Sequence, residues 1–399
     1  MKILVFNIWP EWPSGRHYFD FKNDEVWFVC DEAGARYVRN YVGAKAVKGI
    51  TMVRSSDVRE LIALLTQTYE EFPFERVVAI DEFCVLPAAF VRDHFGIPGP
   101  TVAQVEPFRN KRKMKDTVAA AGIRVIPDLE LEQLDRGPFV PCVVKRTDGA
   151  ASDGVYICRT YEEFQAHRDG LDRGALLEQY VPGNVFHIDG AFNDSGLVAM
   201  PHSYINTCYE HYRYGTPHGS VTVDDPLLKS RLVEFARAVL AAMPLRKGIF
   251  HLEVIRTPND ELVFLEIACR IGGGEIFTNF TDVYNFDLLA FCIESQLGRD
   301  PPLPELQQED AAGWLMLNGF EHVPGIFTGI RCGTLAENNC AYTMRPPRLG
   351  RKVTDRARYF VTFALRGASS VEVRAGIQDL IANVTLESKP LDPPSAVAG

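Results

Sequence analysis

Glu253 and Glu266 lie in two apolar runs, residues 248–256 and 261–270, that read as consecutive strands. Between them, Thr257-Pro258-Asn259-Asp260 is turn chemistry. A hairpin pivoting between Asn259 and Asp260 sets Glu253 directly opposite Glu266. Two carboxylates about 5 Å apart across a strand pair destabilise a sheet, so the pair calls for a cation between them. Oxygen ligands of this kind suit a hard divalent ion, above all magnesium carried by a nucleotide.

The plainer reading is a pair of solvent-facing acids on an ordinary hairpin. Period-2 alternation argues against it. Ile249, His251, Glu253 and Ile255 share a face with Leu262, Phe264, Glu266, Ala268 and Arg270, which is too apolar for open surface. The opposite face, with Phe250, Leu252, Val254, Val263, Leu265 and Ile267, is a core face. Acids on a half-buried face need partners.

Other chemistry-bearing residues are weaker alone. Lys145-Arg-Thr-Asp-Gly-Ala-Ala-Ser-Asp-Gly154 joins a strand ending at Val144 to one beginning at Val155. Its small residues let backbone amides approach an anion, with Lys145 as a point charge at the mouth. It is not a Walker A loop, since no Gly-Lys-Ser/Thr opens a helix, and an ordinary hairpin loop fits it equally. Lys111 opens a helical stretch, where most lysines are merely solvated. Leu176-Leu-Glu178-Gln179-Tyr180-Val181-Pro-Gly183 is a strand leaving into a turn, which exposes backbone groups to a flat ring or simply ends a strand.

The elements that must carry these residues follow from composition and pattern. The 399 residues, 46% hydrophobic and 24% charged, form an ordinary globular chain of more than one domain. The nine cysteines show no Cys-x-x-Cys spacing, which fits reduced thiols in a cytoplasmic protein and gives no zinc site. The apolar start is too short for a signal peptide or a membrane span, and a net charge of −10 argues against nucleic-acid binding. The basic run 109–115 is then a local device or a solvated helix face.

Residues 1–105 alternate strand-like runs (3–8, 26–30, 76–80) with helical patterns (33–41, 57–69, 82–95), a doubly wound βαβ layer. No Gly-x-Gly-x-x-Gly follows the first strand, so a dehydrogenase is the weakest reading. After the Pro/Gly-rich joint 96–100 comes a helix at 110–121. Residues 139–206 are mainly strand with one short helix at 161–169, 226–242 is an amphipathic helix, and 285–298 is helical. Pro301-Pro-Leu-Pro304 marks a joint before a strand-rich module at 311–386 whose last helix covers 370–384. The expected units are 1–105, 106–185, 186–305 and 306–388, with a disordered tail at 389–399.

The order of the pieces is more specific than any one of them. A lysine on a helix, a lysine before a small-residue loop, Glu178-x-Tyr-Val-x-Gly183, His251-x-Glu253, then Phe264-Leu-Glu-Ile-x-x-Arg270-x-Gly-Gly-Gly274 resembles the ATP-grasp superfamily. The resemblance covers roughly residues 1–300. Within it the chain is similar to carboxylate-amine ligases of the L-amino-acid ligase kind. It implies an α/β (α+β) fold with an N-terminal doubly wound domain, a central nucleotide clamp and a C-terminal mixed β domain.

The resemblance also implies roles. Lys111 and Lys145 would contact the α and β phosphates, and the loop with Asp148, Gly149, Ser152 and Gly154 would close over the β and γ phosphates. Glu178 would hold the adenine amino group, with the backbone of Gln179 and Val181 completing the hinge. Glu253 and Glu266 would carry Mg2+, with Mn2+ as a substitute, and Arg270 would hold the transferred phosphoryl group. Two places depart from the pattern. An asparagine that often adds a metal ligand is here Ala268. An acid that usually grips ribose falls on Val185, and His187 or Asp189 is the expected stand-in.

The implied reaction joins a small-molecule carboxylate to an amine through an acyl phosphate, with ATP cleaved to ADP and phosphate. His202 and Glu275 are candidate bases with a purely structural role equally open to each. Arg270, Glu275, Trp314, Met316 and residues 202–218 are the expected substrate wall, and the Tyr/His-rich stretch 206–219 a second cover. The rivals are transfer to a carrier-protein thiol and a non-catalytic ATP-binding protein. No nucleic acid or membrane partner is expected, and a homodimer is the default.

Overall fold

The structure is a computed structural model describing residues 1–7, 18–43, 47–54, 57–306, 310–335, 340–354 and 361–391. Strands β1 (Lys2–Asn7), β2 (Glu25–Cys30), β3 (Val47–Met52) and β4 (Arg76–Val78) form a parallel sheet in the order β3-β2-β1-β4. Alternate residues of β1 enter opposite cores, Ile3 and Val5 on one face and Leu4 and Phe6 on the other, as expected of a strand covered on both sides. Helices α1 (Glu32–Tyr37), α2 (Val58–Glu71) and α3 (Val85–Phe95) belong to this layer. Position 8, the expected end of the first strand, lies outside the described residues. β3 was not anticipated, since Lys48 and Gly49 dilute its apolar pattern.

Helix α4 (Val102–Arg109) crosses the expected division at 105/106 and runs into α5 (Lys111–Ala120). Asn110 closes the first and caps the second, its side chain accepting from the N–H groups of Arg112 and Lys113. After α6 (Leu131–Arg136), an antiparallel sheet β6-β5-β7 is built from β5 (Cys142–Lys145), β6 (Val155–Cys158) and β7 (Leu176–Gln179), with α7 (Tyr161–Gln165). Cys142, Val144, Cys158, Phe164 and Leu177 form its own small core.

The central sheet has eight strands in the order β12-β11-β8-β9-β10-β13-β17-β15. They are β8 (Asn184–Asn193), β9 (Gly196–Asn206), β10 (His218–Thr222), β11 (Gly248–Arg256), β12 (Leu262–Ala268), β13 (Ala311–Leu317), β15 (Ala341–Arg345) and β17 (Val361–Gly367). Helices α8 (Cys208–Tyr214) and α9 (Pro226–Ala242) lie between its strands in sequence. The expected line at 185/186 cuts into β8, and the line at 305/306 separates strands that share this one sheet. A smaller sheet, β16-β14-β18, joins β14 (Gly325–Cys332), β16 (Lys352–Val353) and β18 (Val384–Pro390), with α12 (Ser370–Asn383) before the last strand. Lys389 and Pro390, expected in a disordered tail, pair with Ile326 and Gly325, and 392–399 lie outside the described residues.

The helical stretch at 285–298 resolves into α11 (Leu288–Gln296), preceded by α10 (Ile276–Asp282). Helix α11 gives Leu289 and Ile293 to the N-terminal core and Phe291 and Cys292 to the central one. Its Gln296 takes Arg92 at 2.7 Å and exchanges two bonds with Ala79, so the N-terminal layer is bolted to the central sheet.

The β11–β12 hairpin meets one expectation and corrects another. Glu253 is opposite Glu266. Near the turn the pairing is one residue out of the expected register, with Arg256 opposite Leu262 and Val254 opposite Phe264, and a bulge between Glu253 and Val254 restores it. Leu265 is the extra residue. Phe264 therefore packs in the main core with Phe250, Leu252, Val254 and Ile267. Val263, with Leu265 against it, instead joins Ile126, Ile255, Val181 and Val185. The face assignments of Leu262, Val263, Phe264 and Leu265 are thus reversed from those expected by strict alternation.

Candidate active site

Glu266 receives Lys111 Nζ on Oε2 at 3.0 Å. Burial disfavours its charge, but Lys111, aided by Lys145 and His251, outweighs burial and brings Glu266 down to about 2. Glu253 accepts the Tyr204 hydroxyl on Oε1 at 2.8 Å, and His251 Nε2 lies 3.5 Å from the same oxygen. Burial and the Glu253 charge push Tyr204 well up, which keeps it a donor. Each carboxylate thus keeps its other oxygen outside these bonds.

Lys111 is the first residue of α5, so the Asn110 cap fixes its backbone. Its N–H donates to Thr147 O at 2.8 Å and its Nζ to Gly149 O at 3.0 Å. Arg109 donates to Asp148 O at 3.1 Å. The small-residue loop is therefore seated on the start of α5. Ala151, Ser152 and Gly154 all have left-handed backbone, with φ of 50°, 59° and 68°, a turn geometry that glycine adopts without strain. Arg146 spans the loop to Asp148 and Asp153. Helix α8 meets this hairpin, its Tyr209 hydroxyl accepting from Ile157 N at 3.4 Å.

Lys145, at the end of β5, pairs with Glu178 at 2.7 Å, and Lys115 reaches the other oxygen of Glu178 at 3.0 Å. Lys115 also holds Asp128 at 2.6 Å, which Arg112 grips with two nitrogens at 2.7 and 3.1 Å. Lys115, Lys145 and Glu178 are 7%, 6% and 2% exposed, and a buried charge of this kind needs such partners. The Glu178 carboxylate, expected to hold adenine, is engaged by two ammonium groups instead. The Gln179 N–H donates to Pro127 O at 2.9 Å, which leaves the exit of the strand at Val181 as the open part of the expected hinge.

Arg270 donates to Glu82 at 2.5 Å, and Arg109 takes the other oxygen of the same carboxylate. These two guanidinium groups overcome burial and hold Glu82 below the usual carboxylate range. Fully buried beneath the metal-type pair lies a polar chain. Asp189 receives His251 Nδ1 at 2.8 Å and His187 Nδ1 at 2.5 Å, and His187 Nε2 meets Ser220 Oγ at 2.7 Å. His187 and Asp189 are both 0% exposed, so neither offers a ribose the contact expected of it. Val185 sits opposite Ile255 in an apolar patch.

The candidate bases fare likewise. His202 is buried, stacked 5.0 Å from His187, and bonded through Nδ1 to Met200 O. Burial and the neighbouring His187 push it down to about 3, so it stays neutral. Glu275 is held by Thr278, by Arg345 at 2.6 Å and by Thr362 at 2.5 Å, tying the glycine run after Arg270 to β15 and β17. Trp314 and Met316 are buried in β13. The Trp314 ring lies where a Gly274 Cβ would come within 2.7 Å of it, and its centroid is 4.7 Å from that of His218. Structure thus gathers Trp314, His218 and the glycine run at one wall, with Met316 beside it as the strand partner of His218.

Sequence reasoning gave no individual role to Lys115, Asp128, Ser220 or Glu82, and placed Tyr204 only within the expected wall 202–218. Helical spacing of Lys111 and Lys115 was a signal for the first. Glu82 acts 188 residues from Arg270, and no local pattern announces it. Two opposed carboxylates offer hard oxygen donors that fit magnesium, while Ala268 adds no ligand and faces His251.

Residues 108–274 match the ATP-grasp domain family. An L-arginine-specific L-amino acid ligase of Bacillus subtilis is 26% identical over 287 residues, covering 66% of this chain and 67% of that protein. An alanine–anticapsin ligase of Bacillus subtilis (strain 168) is 23% identical over 63% of this chain and 60% of its own length. The crystal structure of an L-amino acid ligase from Bacillus licheniformis superposes with a TM-score of 0.75 at 18% identity, over 96% of this chain and 98% of that one, which shows the fold. No helix among the described residues is long and apolar enough to cross a membrane.

Proposed function

We propose, because the chain belongs to the ATP-grasp superfamily, that it joins the carboxyl group of an amino acid or similar small acid to an amine, cleaving ATP to ADP and phosphate. The observation that carries this reading is the opposed pair Glu253 and Glu266 with Lys111 on one side. The names of its relatives support the amino-acid class.

Lys111 and Lys145 are each paired with a carboxylate here, Glu266 and Glu178. A triphosphate entering between them exchanges those partners for phosphate oxygens. Glu253 and Glu266 would hold Mg2+, which when bound neutralises charge on the β and γ phosphates. The substrate carboxylate oxygen attacks the γ phosphorus and ADP leaves. Lys111, Lys145 and Arg270 stabilise charge spread over the phosphoryl oxygens. The loop 148–154, seated on α5, keeps water from the acyl phosphate. The amine then attacks the acyl carbon, the C–O bond to phosphate breaks, and the amine proton passes to solvent or phosphate, since His202 and Glu275 are both committed elsewhere. Adenine would lie at the exit of β7 near Val181. Nine cysteines without Cys-x-x-Cys spacing, all but Cys332 buried or half-buried, support a reducing, cytoplasmic setting.

The test is phosphate release from Mg-ATP with crossed amino acids as acids and amines, with mass spectrometry of products. Release that needs both an acid and an amine supports the ligase. Release only with a carrier protein supports thiol transfer, and ATP binding without release across the panel returns the non-catalytic reading.

A further inference from the structure

Asp189 stands in the middle of the central sheet, on β8, opposite His251 of β11. It touches no solvent, yet two imidazoles share it: His251 Nδ1 on Oδ1 at 2.8 Å and His187 Nδ1 on Oδ2 at 2.5 Å. Removing such an acid from water is costly unless its bonds are complete. Here both oxygens are used, and the far nitrogen of His187 is anchored on Ser220.

Two consequences reach the site. First, fixing Nδ1 of His251 fixes its ring, and the ring's Nε2 is the atom beside Glu253 Oε1. His251 and Glu253 are two apart on one strand and so project from the same face. Second, the backbone of the loop after Arg270 rests directly on this pair. A Cβ on Gly272 would lie 2.6 Å from His251 Nδ1 and 2.8 Å from Asp189 Oδ1. Only a residue without a side chain brings the loop this close.

We propose that Asp189 is a positioning residue that sets, through His251, the aim of the Glu253 carboxylate toward its metal ion and, through the seat of Gly272, the place of the loop that carries Arg270. The inference rests on the metal reading of Glu253 and Glu266. It assigns Asp189 to the metal end of the site rather than to the ribose.

Asp189→Asn keeps shape and one acceptor but removes the charge shared by two imidazoles, and His251→Gln removes the ring that relays it. The probe is Mn2+, its free signal followed by electron paramagnetic resonance with a non-hydrolysable ATP analogue present. Supporting partners behind a metal ligand are worth about 10- to 100-fold in metal affinity. The expected result is a loss of about 10-fold or more in Mn2+ affinity, a matching rise in the Mg2+ needed for half-maximal phosphate release, and unchanged binding of the analogue without metal. A merely structural Asp189 would lower the melting temperature and leave the metal affinity of the folded fraction alone; that result overturns the proposal, as does Asp189→Asn binding Mn2+ within twofold of wild type. If Asp189→Asn does not fold, the same two outcomes are read from His251→Gln. A wild-type protein that binds no Mn2+ with nucleotide present removes the metal reading itself, a failure recognisable because it precedes any variant.

Discussion

Replacing Glu178 with glutamine tests whether the two lysines of the clamp are held by one carboxylate. In the folded protein Glu178 is 2% exposed, forms an ion pair with Lys145 at 2.7 Å and accepts a hydrogen bond from Lys115 at 3.0 Å. Glutamine fills the same volume but leaves both ammonium groups facing a neutral amide. Removing one partner of a buried ion pair costs about 3–5 kcal/mol. Lys115 keeps Asp128 at 2.6 Å, so the loss falls at the lower end, about 3 kcal/mol on that scale. With about 2.1 cal/mol/K of unfolding entropy per residue, the 399-residue chain shifts by about 1.2 °C per kcal/mol, so its melting temperature drops by roughly 4 °C. The second half of the experiment adds Mg-ATP. In the wild type, phosphate must draw Lys145 away from Glu178, whereas in Glu178→Gln no carboxylate competes. Nucleotide therefore raises the melting temperature of the variant by more than that of the wild type, because tighter binding to the folded state adds stability. Urea unfolding with and without nucleotide reads both quantities. A loss below about 1 kcal/mol would show that the pairs are not the buried links described, since removing a partner from one costs several times that. Equal nucleotide protection of both proteins would refute the exchange of partners.

Three further outcomes follow from the same geometry. Glu253→Gln and Glu266→Gln together abolish ADP formation while the circular dichroism spectrum is retained, and an active double variant would remove the magnesium reading. Glu82→Gln lowers kcat at least about 10-fold, since Arg270 and Arg109 share that carboxylate and loss of orientation alone costs this much; unchanged steady-state kinetics would show that Arg270 needs no such support. His218 is pushed down to about 3, mainly by burial, with its backbone bond to Asn206 opposing and nearby His211, His187 and His251 assisting. Its folded value lies below its unfolded one, so the unfolded chain binds the extra proton. Stability is then full above about pH 6.5 and falls with decreasing pH toward 3, by up to about 1.4 kcal/mol per pH unit for one proton. His218→Gln should remove up to one proton from the acid slope in urea titrations, and an unaltered slope would contradict the buried neutral state.

How much was legible from the chain depends on how local the cause is. Helix α9 begins and ends at the residues its pattern marks, because Asp225 caps it, Pro226 suits the first turn and the apolar stripe repeats at helical spacing. The opposition of Glu253 and Glu266 was readable from alternation around a turn, yet the turn is centred on Asn259, half a residue from the assumed pivot, which shifts the pairing beside it by one. It came right only because Leu265 bulges, and a bulge answers to the packing of Val263 and Leu265 against Val181 and Val185 rather than to any signal within the hairpin. His202 and Glu275 looked like bases since their types allow it, and burial with fixed partners is a fact of neighbours far along the chain.

The sequence by itself determined the pieces that depend on near neighbours and on order: the parallel N-terminal layer, the lysines before helix and loop, the carboxylate pair, and the superfamily that their succession signals. Tertiary structure alone decided which charges meet. Glu82 closes on Arg270, Lys115 and Lys145 share Glu178, and Asp189 is locked between two histidines from different strands. The reason is that these contacts exist only where low-polarity surroundings make an unpaired charge too costly to leave. Which partner satisfies it depends on the packing of distant elements and not on spacing along the chain.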